Sequence, residues 1–146
     1  LPGEINMETI WDERLRSIRE QEEHLARNGT VILKFWLNVS KEEQKRRFLS
    51  RLDEAEKNWK FEPNDVKERR HWDDYMLAYE EALNATSRPW APWYAIPADD
   101  KPYMRARVAD TIIDTLQSIG LRYPEPSGED RAEFATAREE LCADGK

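Results

Sequence analysis

One cysteine, two histidines and five glycines are all that 146 residues hold of those types, and each shortage removes a class of chemistry. Cys142 alone cannot form an internal disulfide, which fits a reducing compartment. His24 and His71 stand far apart in sequence, so Cys and His build no metal cluster. The glycines are too scattered to cradle phosphates in a loop, and no Gly-x-x-x-x-Gly-Lys-[Ser/Thr] run occurs. A Ser/His/Asp or Cys/His triad has no support either. No apolar run approaches about 18 residues, and the opening residues lack a basic stretch followed by an apolar one. A soluble, cytoplasmic chain with no membrane partner is expected.

Positive charge is also short. Lys and Arg number 23 against 30 Asp and Glu, a net charge of −7, which argues against a general, strongly basic nucleic-acid binder, and no DNA or RNA partner is expected. The distribution says more than the sum. Residues 125–146 carry seven acids and three bases, so −4 of the −7 lies in the last 22 residues. Between Lys41 and Arg51, five cations (Lys41, Lys45, Arg46, Arg47 and Arg51) face only Glu42 and Glu43. A polyanion could be handled there.

What is present is a core-forming set, 39% apolar residues with six Trp, five Tyr and four Phe, enough for one domain. From Met7 to Arg27, Trp11, Leu15, Ile18 and Leu25 share a helical face, and Asn28-Gly29 supplies a stop. Thr30 to Val39 is β-branched and aromatic with almost no alternation, the pattern of a central parallel strand covered on both faces. Ser40 with Glu43 makes a capping-box pattern and opens a helix to Leu52, with Phe48, Leu49 and Leu52 inward and the other side basic. Residues 53–62 look irregular.

Pro63 suits the first turn of a long helix to Leu83, in which Trp72, Tyr75, Tyr79 and Leu83 fall near helical spacing and read as core. Thr86 to Pro92 breaks it. Trp93 to Ile96 reads as a short buried strand, and Pro97 to Lys101 as the turn into a helix over Pro102–Ile119 that ends at Gly120. The acidic tail, 125–146, is expected to be weakly structured, with at most a helix from Arg131 to Leu141. Two doubly covered strands cannot make a stable sheet, so the order helix, strand, helix, long helix, strand, helix suggests half of a larger α/β domain.

Arg47 and Arg51 lie four apart on one helix and project from one face. Planar guanidinium forks bind oxyanions bidentately, and such cations stabilise a transferring phosphoryl group. The same residues also fit a solvated face paired with Glu42, Glu43 and Glu54. Lys60, between Trp59 and Phe61, is either a mobile loop cation or a side chain snorkelling over pinned aromatics. Lys67, Arg69 and Arg70 stand at a helix start, where positive charge opposes the macrodipole. Asp73 and Asp74 could orient such cations. Asp99-Asp100 could hold a metal or a nucleotide hydroxyl, but acids before a helix also serve as caps.

Taken in order, several blocks resemble the polyphosphate kinase 2 family over about residues 8–123. They are Gly29-Thr30-Val31-Ile32-Leu33-Lys34-Phe35-Trp36-Leu37, Ser40-Lys41-Glu42-Glu43-Gln44 with Arg47-Phe48, and Asn58-Trp59-Lys60-Phe61. Trp72-Asp73-Asp74-Tyr75 and Ala91-Pro92-Trp93-Tyr94 through Ala98-Asp99-Asp100-Lys101 complete the set. Asn38, Glu62 and Pro102 depart from residues frequent in that family. Residues 125–146 have no recognised counterpart.

The resemblance implies the carboxyl-terminal half of a P-loop kinase-like, three-layer α/β fold with parallel strands and a helical lid. Residues 1–124 would be that part of the domain, with the lid at about 45–85. It implies a phosphotransferase moving phosphate between inorganic polyphosphate and nucleotides (ADP/ATP, AMP or GDP/GTP) with Mg²⁺, as a homo-oligomer in the complete enzyme. The phosphate loop and the acidic Mg²⁺-binding strand precede the matched region in the family, so no metal ligands are expected here. Arg47, Arg51 and Lys60 match the lid's phosphate-binding cations, and Lys101 and Arg105 the nucleotide side. The isolated chain, read as a fragment, is expected to be inactive. The alternative is a non-catalytic polyphosphate-binding or assembly module completed by another chain.

Overall fold

The computed structural model describes residues 6–143. It contains six α-helices and two strands among those residues: α1 (Ile10–Arg27), β1 (Lys34–Asn38), α2 (Lys41–Asp53), α3 (Pro63–Glu68), α4 (Trp72–Thr86), β2 (Trp93–Pro97), α5 (Lys101–Ile119) and α6 (Gly128–Ala143). Short 3-10 turns cover Ala55–Lys60 and Arg69–His71. The chain divides into two compact units, Leu1–Ile112 and Ile113–Lys146, with α5 beginning in the first and ending in the second.

In the first unit the two strands pair in parallel, with Lys34 opposite Trp93 and Asn38 opposite Pro97. Ladder bonds extend past both ends, from the Lys34 amide to the Pro92 carbonyl (3.2 Å) and from the Ala98 amide to the Asn38 carbonyl (2.8 Å). Cross-strand neighbours Phe35 and Tyr94 stack with ring centroids 5.6 Å apart, the side-chain pairing that stabilises a ladder. The parallel arrangement is as the sequence indicates. The first strand is shorter than Thr30–Val39, because a strand extends only as far as its partner, and β2 has five residues. Nor is β1 covered on both faces: Leu37 is 44% exposed.

Thr86, the last residue of α4, ties both strands to that helix. Its carbonyl accepts from Lys34 Nζ (2.9 Å) and its hydroxyl from Trp93 Nε1 (2.8 Å). Lys34 also meets Glu22 of α1 at 2.6 Å, and Arg19 Nη1 donates to the Ala85 carbonyl (3.0 Å). So α1 docks through Arg19 and Glu22, whereas Trp11, Ile18 and Leu25 of its expected inner face are exposed. Burial is confined to Ala91, Ile96 and Ala98, with the polar Glu43 and Thr86, among the described residues.

Two further expectations change. The long helix from Pro63 is divided into α3, a 3-10 turn and α4, although Pro63 does sit at the first helical position, where its missing N–H costs nothing. Leu49 and Leu52 are about half exposed rather than inward. Helices α1 and α5 do end at their glycines, Gly29 (φ 87°) and Gly120 (φ 65°), in the left-handed region that lacks a Cβ penalty only for glycine.

In the second unit the tail is helical from Gly128 to Ala143, longer than Arg131–Leu141. The added turn is held by a reciprocal cap: the Ser127 amide donates to Asp130 Oδ2 (2.7 Å) and the Asp130 amide to Ser127 Oγ (3.1 Å). An aspartate serves where Glu or Gln is usual in such boxes. Every described residue of α6 is exposed. No helix is long and apolar enough to cross a membrane among the described residues.

Candidate functional site

Both strands run to the same sheet edge and hand over there to helices, β1 to α2 and β2 to α5. Helix N-termini leave backbone N–H groups without intrahelical partners, and here they are satisfied partly by local caps and partly from across the edge. The Ser40 hydroxyl accepts from the Glu43 amide (3.1 Å), half of the expected capping box. The other half is replaced: the Ser40 amide donates to Asp99 Oδ1 (2.7 Å), 59 residues away. Asp100 caps its own helix by accepting from the Tyr103 amide (2.8 Å). The paired acids thus serve as caps, one for each helix.

Released from the capping box, the Glu43 carboxylate binds two arginines. Arg46 donates through Nε and Nη2, both at 2.6 Å, and Arg47 through Nε at 2.7 Å. These bonds, Arg46's first and then Arg47's, hold the Glu43 carboxyl down at about 2, against an ordinary value near 4.5. The same bond to Glu43 raises the Arg46 guanidinium above its ordinary value. Arg47 continues across the edge, with Nη2 donating to the carbonyls of Ala98 (2.7 Å) and Asp99 (3.3 Å).

Arg51 turns the other way. Its guanidinium lies 5.4 Å over the Phe48 ring, donates to the Lys60 carbonyl (3.4 Å) and sits 3.6 Å from Asp65. Asn58 Nδ2 donates to the carbonyls of Arg51 (2.7 Å) and Leu52 (2.9 Å), folding the 3-10 turn back on the end of α2. Lys60 Nζ stands 4.9 Å over the ring of Trp59, which is 79% exposed. The fold therefore brings Arg51 and Lys60 together and places Arg47 apart, against the β2–α5 turn. Lys101 and Arg105 are exposed, and their side chains form no hydrogen bond or ion pair among the described residues.

A cavity of about 340 Å³ opens beside the end of β1, with walls that include Trp36, Phe48, Trp72, Tyr75 and Tyr79. The aromatic stripe read as core is thus a cavity wall, with Tyr75 and Tyr79 nearly half exposed. Arg69 is the cation that reaches it, held by Gln44 Oε1 at 2.7 Å and lying 5.8 Å over Trp72. Lys41 lies 5.8 Å from the same ring. In the sequence Arg69 reads only as charge at a helix start; its spacing of three from Trp72 is the signal that places it beside the ring. Asp74 pairs with His71 (3.3 Å) and with no lid cation.

Among the described residues, no three His, Cys, Asp or Glu side chains converge to hold a metal ion.

The family model described as Polyphosphate kinase 2 matches residues 4–122. An ADP-polyphosphate phosphotransferase of Rhodopseudomonas palustris is 50% identical over 139 residues, 95% of this chain and 48% of that protein. The crystal structure of Polyphosphate Kinase 2 from Arthrobacter aurescens TC1 superposes with a TM-score of 0.81 and 38% identity, over 92% of this chain and 47% of that one. The chain spans about half the length of both. An uncharacterized protein in chlN 3'region of Leptolyngbya boryana is 54% identical over 132 residues, 90% of this chain and 97% of that protein. The small parallel sheet flanked by helices is consistent with the P-loop kinase-like α/β class expected from sequence.

Proposed function

Since this chain belongs to the polyphosphate kinase 2 family, we propose that it serves phosphate transfer between inorganic polyphosphate and nucleoside mono- or diphosphates, carrying the cationic lid and the nucleotide-side turn. The observation that carries this reading is the match over residues 4–122, which includes the whole cationic edge. The geometry supports a division of labour. Arg51 and Lys60, joined through the Lys60 carbonyl, take polyphosphate oxygens, and Lys101 and Arg105 face the nucleotide. Arg47, expected from sequence as a third phosphate-binding cation, has its guanidinium committed to Glu43, Ala98 and Asp99 instead.

Closing such a lid over phosphates excludes water and strengthens each cation's hold on developing charge. Transfer itself rests on positioning and charge stabilisation, and no phosphate loop occurs in this sequence. The 146-residue chain alone is therefore proposed to bind but not to turn over. In the complete enzyme Mg²⁺ would neutralise phosphate charge; a homo-oligomeric, cytoplasmic enzyme without a nucleic-acid partner completes the proposal.

The test is twofold. ATP formation from ADP, polyphosphate and Mg²⁺ by the purified chain should be undetectable, while polyphosphate binding should be measurable and weaken with salt. Robust ATP formation overturns the inactivity, and absent polyphosphate binding overturns the lid assignment. A second reading, a non-catalytic polyphosphate-binding or assembly module completed by another chain, is favoured by the Leptolyngbya protein, of which the match covers 97%, and by the exposed Trp11, Ile18 and Leu25 on α1. Adding a chain that carries a phosphate loop distinguishes the two. Turnover on addition supports the kinase half, and persistent binding without turnover supports the module.

A further inference from the structure

The bonds at the sheet edge close a ring. Ser40 Oγ caps the Glu43 amide, Glu43 holds Arg47, Arg47 holds the carbonyls of Ala98 and Asp99, and Asp99 returns to the Ser40 amide. Its members come from two segments 51 to 59 residues apart in sequence, and Glu43 and Ala98 are two of the few buried residues. Three of Arg47's five N–H donors are used within the ring. Two of its acceptors are backbone carbonyls, which present neither side chain nor charge to a ligand. They fix the path of the main chain.

That path leads within two residues to Lys101, at the start of α5. The other end of the same helix α2 carries Arg51, four residues beyond Arg47. Because α2 is rigid over one turn, holding Ala98 and Asp99 to Arg47 sets the distance between the Arg51–Lys60 pair and the Lys101 turn. An ordinary surface ion pair would not do this, since neither partner would be tied to a second segment.

We propose that Arg47 is a positioning residue: it clamps the Ala98–Lys101 turn to α2 and thereby places the nucleotide-side cations relative to Arg51, without itself taking phosphate. The nucleotide part of this inference rests on the phosphate-transfer reading above. The clamp itself rests on geometry alone. Arg47→Ala removes the ring. Arg47→Lys keeps the charge but lacks the planar fork needed to reach Glu43 and both carbonyls together, and guards against misfolding of the alanine variant. Arg51→Ala is the contrast, because it leaves the ring intact.

The experiment compares the wild-type chain with these three variants in two readouts. Amide hydrogen exchange reports the clamp: the Ser40 amide should exchange about tenfold faster in Arg47→Ala and Arg47→Lys, through local opening of the ring, and at the wild-type rate in Arg51→Ala. Titration with ADP and, separately, with polyphosphate of defined length reports the role. Both Arg47 variants should lose about tenfold in ADP affinity with polyphosphate affinity within about twofold of wild type, and Arg51→Ala the reverse. Unchanged exchange at Ser40 in both Arg47 variants overturns the clamp. A loss of polyphosphate affinity in Arg47→Ala as large as in Arg51→Ala makes Arg47 a phosphate ligand and overturns the positioning role. If the wild-type chain binds neither ADP nor polyphosphate, the phosphate-transfer reading fails, and the exchange comparison still decides the clamp.

Discussion

The Ser40 amide, which opens α2, is capped by the Asp99 carboxylate of the turn before α5, at 2.7 Å and 59 residues' remove. A helix entrance is thereby made to depend on a distant segment. Replacing a capping side chain with alanine costs about 1 kcal/mol. Asp99→Ala should cost that much in urea denaturation, whereas Asp99→Asn, which keeps an oxygen acceptor, should cost less. Asp100→Ala should cost a similar amount through α5, whose Tyr103 amide it caps. Because the two acids serve separate helices, the double variant should show roughly the sum.

Sequence made the pair legible as caps but not the assignment of each. Asp100 lies three residues before its partner, within reach of any local pattern; Asp99 answers to Ser40, and no window along the chain contains both. The same limit explains Glu43. Its spacing from Ser40 signals a capping box, yet the box is half replaced from afar and the carboxylate turns to Arg46 and Arg47. The aromatic stripe shows a different limit. Periodicity places Trp72, Tyr75 and Tyr79 on one face, but whether that face is covered depends on neighbours, and Tyr75 and Tyr79 remain about 45% exposed. For the two strands, composition located both, and pairing with a five-residue partner set their length.

Glu22 and Lys34 form a largely enclosed ion pair, with side chains 14% and 11% exposed. Lys34 Nζ also donates to the Thr86 carbonyl and lies 5.2 Å over the Trp93 ring. Removing one partner of a fully buried pair costs about 3–5 kcal/mol, so Glu22→Ala here, where some water reaches both groups, should cost about 2–3 kcal/mol. Replacing both by apolar residues of similar size, Glu22→Leu with Lys34→Met, should recover most of that loss. A double-mutant cycle by chemical denaturation measures the coupling.

Acid should expose the role of Glu43. Its arginine bonds lower the folded-state value to about 2 from about 4.5, so the folded protein binds its proton less readily than the unfolded chain does. The stabilisation is complete above about 4.5 and is lost as pH falls from there toward about 2. Glu54, lowered by Lys57 and then Ser50, and Asp130, lowered by Ser127, act in the same direction. Urea midpoints of the wild-type chain should therefore be nearly flat from pH 5 to 7 and fall below pH 4.5. In Glu43→Gln the neutral amide cannot titrate, and the fall should be shallower. Equal slopes in the two proteins would show that Glu43 does not titrate as described.

Lys60 offers an optical test of phosphate binding by the 3-10 turn. Its ammonium rests 4.9 Å over an indole that is 79% exposed, an arrangement worth little when solvated, about 0.5–1 kcal/mol. Polyphosphate presents many charges to the same ammonium and should draw it off the ring. Trp59 emission should then change on titration, and the change should disappear in Trp59→Phe, which isolates this indole from the other five. Lys60→Ala should abolish the optical change and weaken polyphosphate binding about threefold to tenfold, as expected for one exposed phosphate contact. Raising the salt concentration should weaken wild-type binding more than that of Lys60→Ala, because the variant has one fewer charge to screen. An emission change that survives in Lys60→Ala would place the polyphosphate on another cation, and the Arg51–Lys60 pair would no longer describe the site.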